Sequence, residues 1–161
     1  MRVGLGYDVH PFAEGRTLVL GGGVFEGEVG LAGHSDGDAL THAVIDALLG
    51  AAALGDIGTH FPSSEEGLRG ADSIELLKQV VKLIAAAGCR VINVDTTVVA
   101  ERPRMTPRVP EMRKRLALAI GVELGAVSVK ATTTDGLGAI GRGEGIAVQA
   151  IAMIDSRPST G

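Results

Sequence analysis

Ile146-Ala147-Val148-Gln149-Ala150-Ile151-Ala152-Met153-Ile154 is the stretch on which the fold turns. Branched side chains alternating with Ala, without Pro or Gly, read as a β-strand. Successive side chains point to opposite faces, so Ile146, Val148, Ala150, Ala152 and Ile154 share one side, and Ala147, Gln149, Ile151 and Met153 the other. Both sides are largely apolar and both need cover. Two arrangements meet that need. Helices cover one face and a second copy of the chain the other, or the helices of one chain divide between the two.

Outward from this strand, Val91–Ala100 is the densest run of Val, Ile and Thr and predicts another strand. Val127–Thr134, Arg2–His10 and Thr17–Leu20 predict three more, the last running into the turn Gly21-Gly22-Gly23. Helical patterns run from about Asp38 to Ala53, with Ser35 or Asp36 as cap, and from Ser73 to Ala87, with Asp72 as cap and Gly88 beyond its end. A third covers Glu111–Ile120, where Met112, Leu116 and Ile120 recur every fourth residue. Gly33–Gly37 reads as a polar loop and Gly55–Gly70 as irregular. With no linker, repeat or low-complexity segment, residues 1–161 are expected to form one α+β domain.

Composition removes several classes. The longest apolar run, Ala47–Gly55, is far short of the roughly 20 residues of a membrane span. Met1 leads straight into a strand with no signal-like segment, and Cys89 is the only cysteine, which excludes an internal disulfide framework and a cysteine-based zinc site. A cytoplasmic setting is the expectation. Four aromatics (Tyr7, Phe12, Phe25, Phe61) make a stacking platform for nucleic acid improbable. The net charge of −4 conceals an imbalance: residues 1–75 carry 3 Lys/Arg against 12 Asp/Glu, and residues 76–161 carry 12 against 7. An acidic half suits cations and a basic half suits phosphates.

Asp8-Val9-His10 in a strand projects a carboxylate and an imidazole to one side, a two-ligand arm for zinc, although a structural hydrogen-bonded pair gives the same pattern and the motif alone is weak. His34-Ser35-Asp36-Gly37-Asp38 leads into a helix on which Asp38, His42 and Asp46 share a face. Asp8, His10 and His42 would make a three-ligand site with one position open, and Asp38 or Asp46 would orient His42 from behind. Alternatively the stripe faces water and the loop only caps the helix. Ala100-Glu101-Arg102-Pro103-Arg104-Met105-Thr106-Pro107 is a strand end entering a Pro-rich loop, fit to meet a base with backbone groups and a phosphate with Arg104. Lys130-Ala131-Thr132-Thr133-Thr134-Asp135 supplies hydroxyls and a carboxylate for phosphate and a hard cation such as Mg2+ or Mn2+. Gly136-Leu137-Gly138-Ala139-Ile140-Gly141 matches a dinucleotide fingerprint only formally: no acidic residue follows at the required distance and further glycines do.

In order and spacing, Gly6–His10, His34–Asp38 with His42, Ala53–Gly58, Gly70–Ser73, Ala100–Met105, Val129–Thr134 and Gly141–Ala147 together resemble the 2-C-methyl-D-erythritol 2,4-cyclodiphosphate synthase family over essentially the whole chain. The resemblance implies a mixed sheet with helices on one face and its other face toward the centre of a homotrimer, with active sites between subunits. It implies a metal-dependent phosphorus–oxygen lyase that cyclises 4-diphosphocytidyl-2-C-methyl-D-erythritol 2-phosphate, releasing CMP, in non-mevalonate isoprenoid synthesis. Asp8, His10 and His42 would then hold Zn2+, and Asp135 a second cation, Mg2+ or Mn2+. His34 and Thr133 match positions that align phosphate and stabilise the transition state. Ser35, Asp56 and Gly58 match the erythritol side; Ala100, Arg104, Met105, Thr106, Ala131 and Thr132 match the cytidine side. Arg142, with Glu144, matches an axial cavity suited to a prenyl diphosphate effector.

Such chemistry needs no Ser or Cys nucleophile, because the attacking phosphate is already anionic; alignment and charge neutralisation remain. The chain departs from the family at Asp135 (usually Glu), Arg104 (usually Lys), Ala139 (Phe in some members) and Ser63 (Asp in others). Two other readings compete: a zinc hydrolase using Asp38, Asp46 or Asp56 as base, and a non-catalytic trimeric metabolite-binding protein.

Overall fold

The computed structural model describes residues 1–156. Five strands form one mixed sheet: β1 (Arg2–Leu20), β2 (Gly23–Leu31), β3 (Cys89–Val99), β4 (Val127–Thr132) and β5 (Gly145–Ser156), in the order β2-β1-β5-β3-β4. All neighbours are antiparallel except β3 and β4. That parallel pair is joined through α4 (Val109–Ile120), as a crossover requires. The other helices are α1 (Ala39–Ala52), α2 (Ile57–His60), α3 (Ser73–Ala86) and α5 (Gly138–Gly141).

The stretch at 146–154 is the central strand, and its two faces meet different fates. Ile146, Val148, Ala150, Ala152 and Ile154 are buried beneath α1 and its neighbours. On the other face Ile151 is exposed and stands opposite Leu5 of β1; Val3, Leu5, Tyr7, Val9 and Ile151 are 49–68% exposed. The helices thus cover one side of the sheet and leave an apolar surface on the other.

How closely α1 lies on the sheet is set by two glycines. A Cβ at Gly4 would fall 2.0 Å from the Ala47 carbonyl oxygen, and one at Gly6 1.9 Å from that of Ala43. Only glycine allows strand and helix backbones to approach so far. Gly4, Gly6, Asp8 and His10 alternate on the same face of β1, so the seam that draws α1 down also aims the last two side chains at it. Leu40, Ile45, Leu48 and Leu49 of α1, Leu77 and Ile84 of α3, and Met112 and Leu116 of α4 fill the fully buried core.

Several expectations change. Arg2–His10 and Thr17–Leu20 are parts of one long strand with irregularities in register between Ala13 and Leu18. β2 is not foreseen by the sequence reading: Gly23, Gly27, Gly30, Glu26 and Glu28 suppress any strand pattern, yet as an edge strand it pairs, among the described residues, only with β1. It follows a two-residue turn in which Gly21 and Gly22 both take left-handed φ, 56° and 71°, as a tight hairpin requires. The cap of α1 is neither Ser35 nor Asp36 but Asp38, whose carboxylate accepts from the Thr41 N–H. Gly55–Gly70 holds the short helix α2 and a turn of 3-10 helix at Glu66–Leu68. Among the described residues no helix is long and apolar enough to cross a membrane.

Candidate active site and metal centre

Asp8 and His10 reach from β1 toward His42 on the first turn of α1. His10 Nε2 lies 2.9 Å from Asp8 Oδ2, and His42 Nδ1 lies 3.1 Å from that oxygen and 3.3 Å from His10 Nε2. The three ligand atoms fall within 4.8 Å of one another. The opposite nitrogen of each imidazole is already engaged: His10 Nδ1–H donates to the Ala32 carbonyl, and His42 Nε2 faces Ser73 Oγ at 2.9 Å and Ser35 Oγ at 3.0 Å. With its rear nitrogen engaged, each ring presents the other to Asp8, where a first-row divalent cation would take the place of the proton that hydrogen-bonds the carboxylate.

Electrostatics agree with that chemistry. Burial pushes the Asp8 carboxyl up, but hydrogen bonds with His10 and His42 outweigh it and hold the group well below the usual carboxylate range. The Asp8 hydrogen bond raises His10, against the effect of burial. The site is a preformed carboxylate with two imidazoles gathered around it.

The trio forms the floor of a cleft of about 260 Å³ that His34, Ser35, Asp46, Gly58, Phe61 and Leu68 help to line. Arg16 shapes this wall by donating to the carbonyls of Gly33 and Ser35, a role nothing in the sequence pattern signals. The His34 Nε2–H donates to the Glu65 carbonyl at 3.2 Å. Asp56 caps α2, accepting from the Thr59 N–H and hydroxyl at 2.8 Å, and is not among the residues lining the cleft.

Neither expected carboxylate hydrogen-bonds the His42 ring. Asp38 is fully buried and accepts from the N–H groups of Gly21, Gly22 and Thr41 and from the Thr41 hydroxyl, so it ties the β1–β2 turn to α1. Asp46 accepts from the Ile57 N–H at 2.7 Å. Burial raises both carboxyls above their ordinary values. The hydroxyls of Ser35 and Ser73 take the orienting positions instead, and Ser73, 31 residues from His42, entered the linear reading only as the end of the Gly70–Ser73 stretch, with no role attached.

A second cleft of about 360 Å³ is separate from the first. Ala100, Arg104, Met105, Thr106, Ala131, Thr132 and Thr133 line it together with Glu101 and Pro103. Glu101 organises its rim by accepting from the N–H groups of Thr134 and Gly136 and from the Thr134 hydroxyl, hydrogen bonds that lower its carboxyl from its ordinary value. Asp135 adopts left-handed φ, 53°, and its Oδ1 accepts from the Thr133 hydroxyl. It does not belong to the Asp8–His10–His42 group. Arg142 pairs with Glu144 at 2.6 Å in the exposed turn between α5 and β5 and lines neither cleft.

Two imidazoles and a carboxylate converging on an open cleft, on one side of a mixed sheet, are the donor set of a catalytic metal centre rather than of a closed structural one. Residues 1–155 match the model of the YgbB family, and the chain belongs to that family. It is 54% identical over 154 residues to the 2-C-methyl-D-erythritol 2,4-cyclodiphosphate synthase of Alkaliphilus oremlandii, covering 96% of this chain and 98% of that one. The bifunctional IspDF structure from Campylobacter jejuni superposes with a TM-score of 0.93 at 41% identity, over 96% of this chain and 42% of that longer one. The IspF–CDP complex from Plasmodium falciparum gives 0.84 at 31% identity, over 97% and 96% of the two chains. The activity that follows from the family is a lyase reaction: cyclisation of 4-diphosphocytidyl-2-C-methyl-D-erythritol 2-phosphate to the 2,4-cyclodiphosphate with release of CMP, in isoprenoid precursor synthesis.

Proposed function

We propose that the reaction is carried by two clefts from neighbouring copies of a homotrimer, one binding Zn2+ and the erythritol side and the other the cytidine and its diphosphate. The observation that carries this reading is the separation of the clefts within one chain, beside a sheet face whose exposed Val3, Leu5, Tyr7, Val9 and Ile151 call for a protein partner. Asp8, His10 and His42 would hold Zn2+, and Asp135 would hold Mg2+ or Mn2+. When bound, the two cations neutralise crowded phosphate charge as Lewis acids.

The chain's own side chains supply alignment. His34 and Thr133 orient the attacking phosphate and the β-phosphate for in-line displacement, while Ser35, Asp56 and Gly58 hold the erythritol. Because Asp56 already caps α2, its share of that contact is through the free oxygen Oδ2. Ala100, Met105, Thr106, Ala131 and Thr132 meet the cytidine, and Arg104 its diphosphate. A prenyl diphosphate effector on the trimer axis would meet Arg142 once its pairing with Glu144 is exchanged. A cytoplasmic setting and a single domain over 1–161 belong to the same reading.

The test is to load the protein with Zn2+ and Mg2+, add the linear substrate and follow both products by mass. The cyclic diphosphate with equimolar CMP supports the reading. Linear hydrolysis products would make the chain a zinc hydrolase, and tight binding without turnover a metabolite-binding protein.

A further inference from the structure

Behind the metal set the structure connects His42 to a carboxylate that never reaches the cleft. Ser73 Oγ lies 2.9 Å from His42 Nε2 and 2.5 Å from Asp36 Oδ1. Asp36 Oδ2 accepts from the Ser73 N–H at 2.9 Å, and Oδ1 also accepts from the Asp38 N–H at 3.1 Å. Its own N–H donates to the Ala71 carbonyl. Asp36 is thus clamped between the loop before α1 and the first turn of α3, and Ser73 is fully buried between it and the imidazole.

The direction of these bonds is fixed by what each group can do. An ionised carboxylate only accepts, so the Ser73 proton goes to Asp36. The Ser73 oxygen is then left to accept, and the group facing it must donate. His42 therefore carries a proton on Nε2, so that when a cation displaces the Nδ1–Asp8 hydrogen bond, 3.1 Å long here, Nδ1 is the nitrogen left to bind it. Ser35 Oγ touches the same nitrogen at 3.0 Å but has no carboxylate behind it; its further partner is the Gly37 N–H at 3.4 Å, which imposes no direction.

We propose that Asp36 and Ser73 form a carboxylate–hydroxyl relay that sets the tautomer and orientation of His42 and so the zinc affinity of the Asp8–His10–His42 site. They are positioning residues, and neither touches the cation or the substrate. The inference rests on the reading of that trio as the zinc set. It gives a reason for Ser at 73 that capping does not, because the cap of α3 is Asp72, which accepts from the Ile74 N–H.

The experiment measures zinc affinity of the full chain by competition with a chromophoric chelator, without substrate. Ser73→Ala is expected to weaken zinc about 10–100-fold, the scale on which partners behind a metal-bound histidine act. Ser35→Ala should weaken it less. Asp36→Asn should also weaken it, and the Asp36→Asn/Ser73→Ala double variant should bind no worse than Ser73→Ala alone, since the carboxylate acts through the hydroxyl. Affinity in Ser73→Ala within twofold of wild type, or multiplying losses in the double variant, overturns the relay. Long-range 1H–15N spectra of the wild-type zinc protein need no variant: protonation of His42 on Nε2 is expected, and protonation on Nδ1 overturns the proposal. Failure of the wild type to take up zinc would overturn the metal set itself, which separates that outcome from failure of the relay alone.

Discussion

In the metal-facing cleft, Asp8, His10 and His42 are half-buried or buried and each is held by a partner inside the same chain; Ala32, Ser35 and Ser73 fix the two rings. In the Ala100–Thr133 cleft, Arg104, Thr106, Ala131, Thr132 and Thr133 are exposed, and the organised carboxylate, Glu101, secures the rim rather than a ligand position. The first cleft is preorganised within the chain, as a site for a small cation must be. The second is a more exposed shelf. A cation needs ligand atoms at fixed separations, whereas a nucleotide brings enough surface to complete its own contacts.

Removing a ligand breaks the preorganised side at its centre and has the largest expected effect. His42→Ala should lose stoichiometric zinc, measured by atomic emission, and turnover should fall by more than about 10³-fold, the scale of a group that neutralises charge on a transferring phosphoryl. Circular dichroism should be unchanged, because the imidazole is at the cleft rather than in the leucine core. Full activity without zinc would remove the metal from the reaction.

Mixing chains tests whether the shelf belongs to a different subunit. His42→Ala and Thr133→Ala chains, each nearly inactive, should recover activity when co-refolded, because some sites then pair an intact metal cleft with an intact shelf. With random assembly of a cyclic oligomer roughly a quarter of the sites are whole, so activity should approach that share of wild type. No recovery would mean that both clefts act within one chain.

Gly6→Ala sharpens the question of what builds the metal side. Its Cβ would meet the Ala43 carbonyl at 1.9 Å, so α1 must lift away from β1 and carry His42 with it. The expected cost is about 3 kcal/mol or more, at or beyond the upper end for overpacking, together with weaker zinc binding. Gly67→Ala, where nothing lies within 4 Å of the added carbon, should leave urea denaturation and zinc affinity unchanged.

That seam marks where the sequence stopped being legible. The alternation at 146–154 and the helical spacing around Leu116 exposed the mixed sheet and its helices because burial on one face leaves a period. Asp8, His10 and His42 were legible because two lie on one strand face and the third at the start of a helix. β2 was hidden by its glycines and glutamates, which an edge strand tolerates and a pattern search does not. Asp38 and Asp46 were expected behind His42 because helical spacing aligns them with it; their carboxylates instead satisfy N–H groups at Gly21, Gly22 and Ile57 that tertiary packing would have left buried. Ser73 and Arg16 act from distant segments, and linear spacing contains no term for that.

The smallest expected effect is a pH dependence confined to the metal side. In protein stripped of metal by a chelator, Asp8 and His10 stabilise each other as a charged pair. His10 is raised above its ordinary 6.5, so its contribution is complete below pH 6.5 and fades as pH rises through the raised value. Asp8 is lowered from 3.8, so its contribution is complete above pH 3.8 and fades as pH falls through the depressed value. Both act together between pH 3.8 and 6.5. Asp38 and Asp46 have the opposite sign, because carboxyls raised by burial lose their contribution as pH rises above 3.8. The wild-type curve therefore mixes the two, and the informative quantity is the urea midpoint of wild type minus that of His10→Asn. That difference should be larger at pH 5.5 than at pH 8.5, and added zinc should abolish the decline by replacing the proton on His10 with the cation. A difference that is flat with pH would show that the ring contributes packing alone, and that the metal side is preorganised by shape rather than by charge.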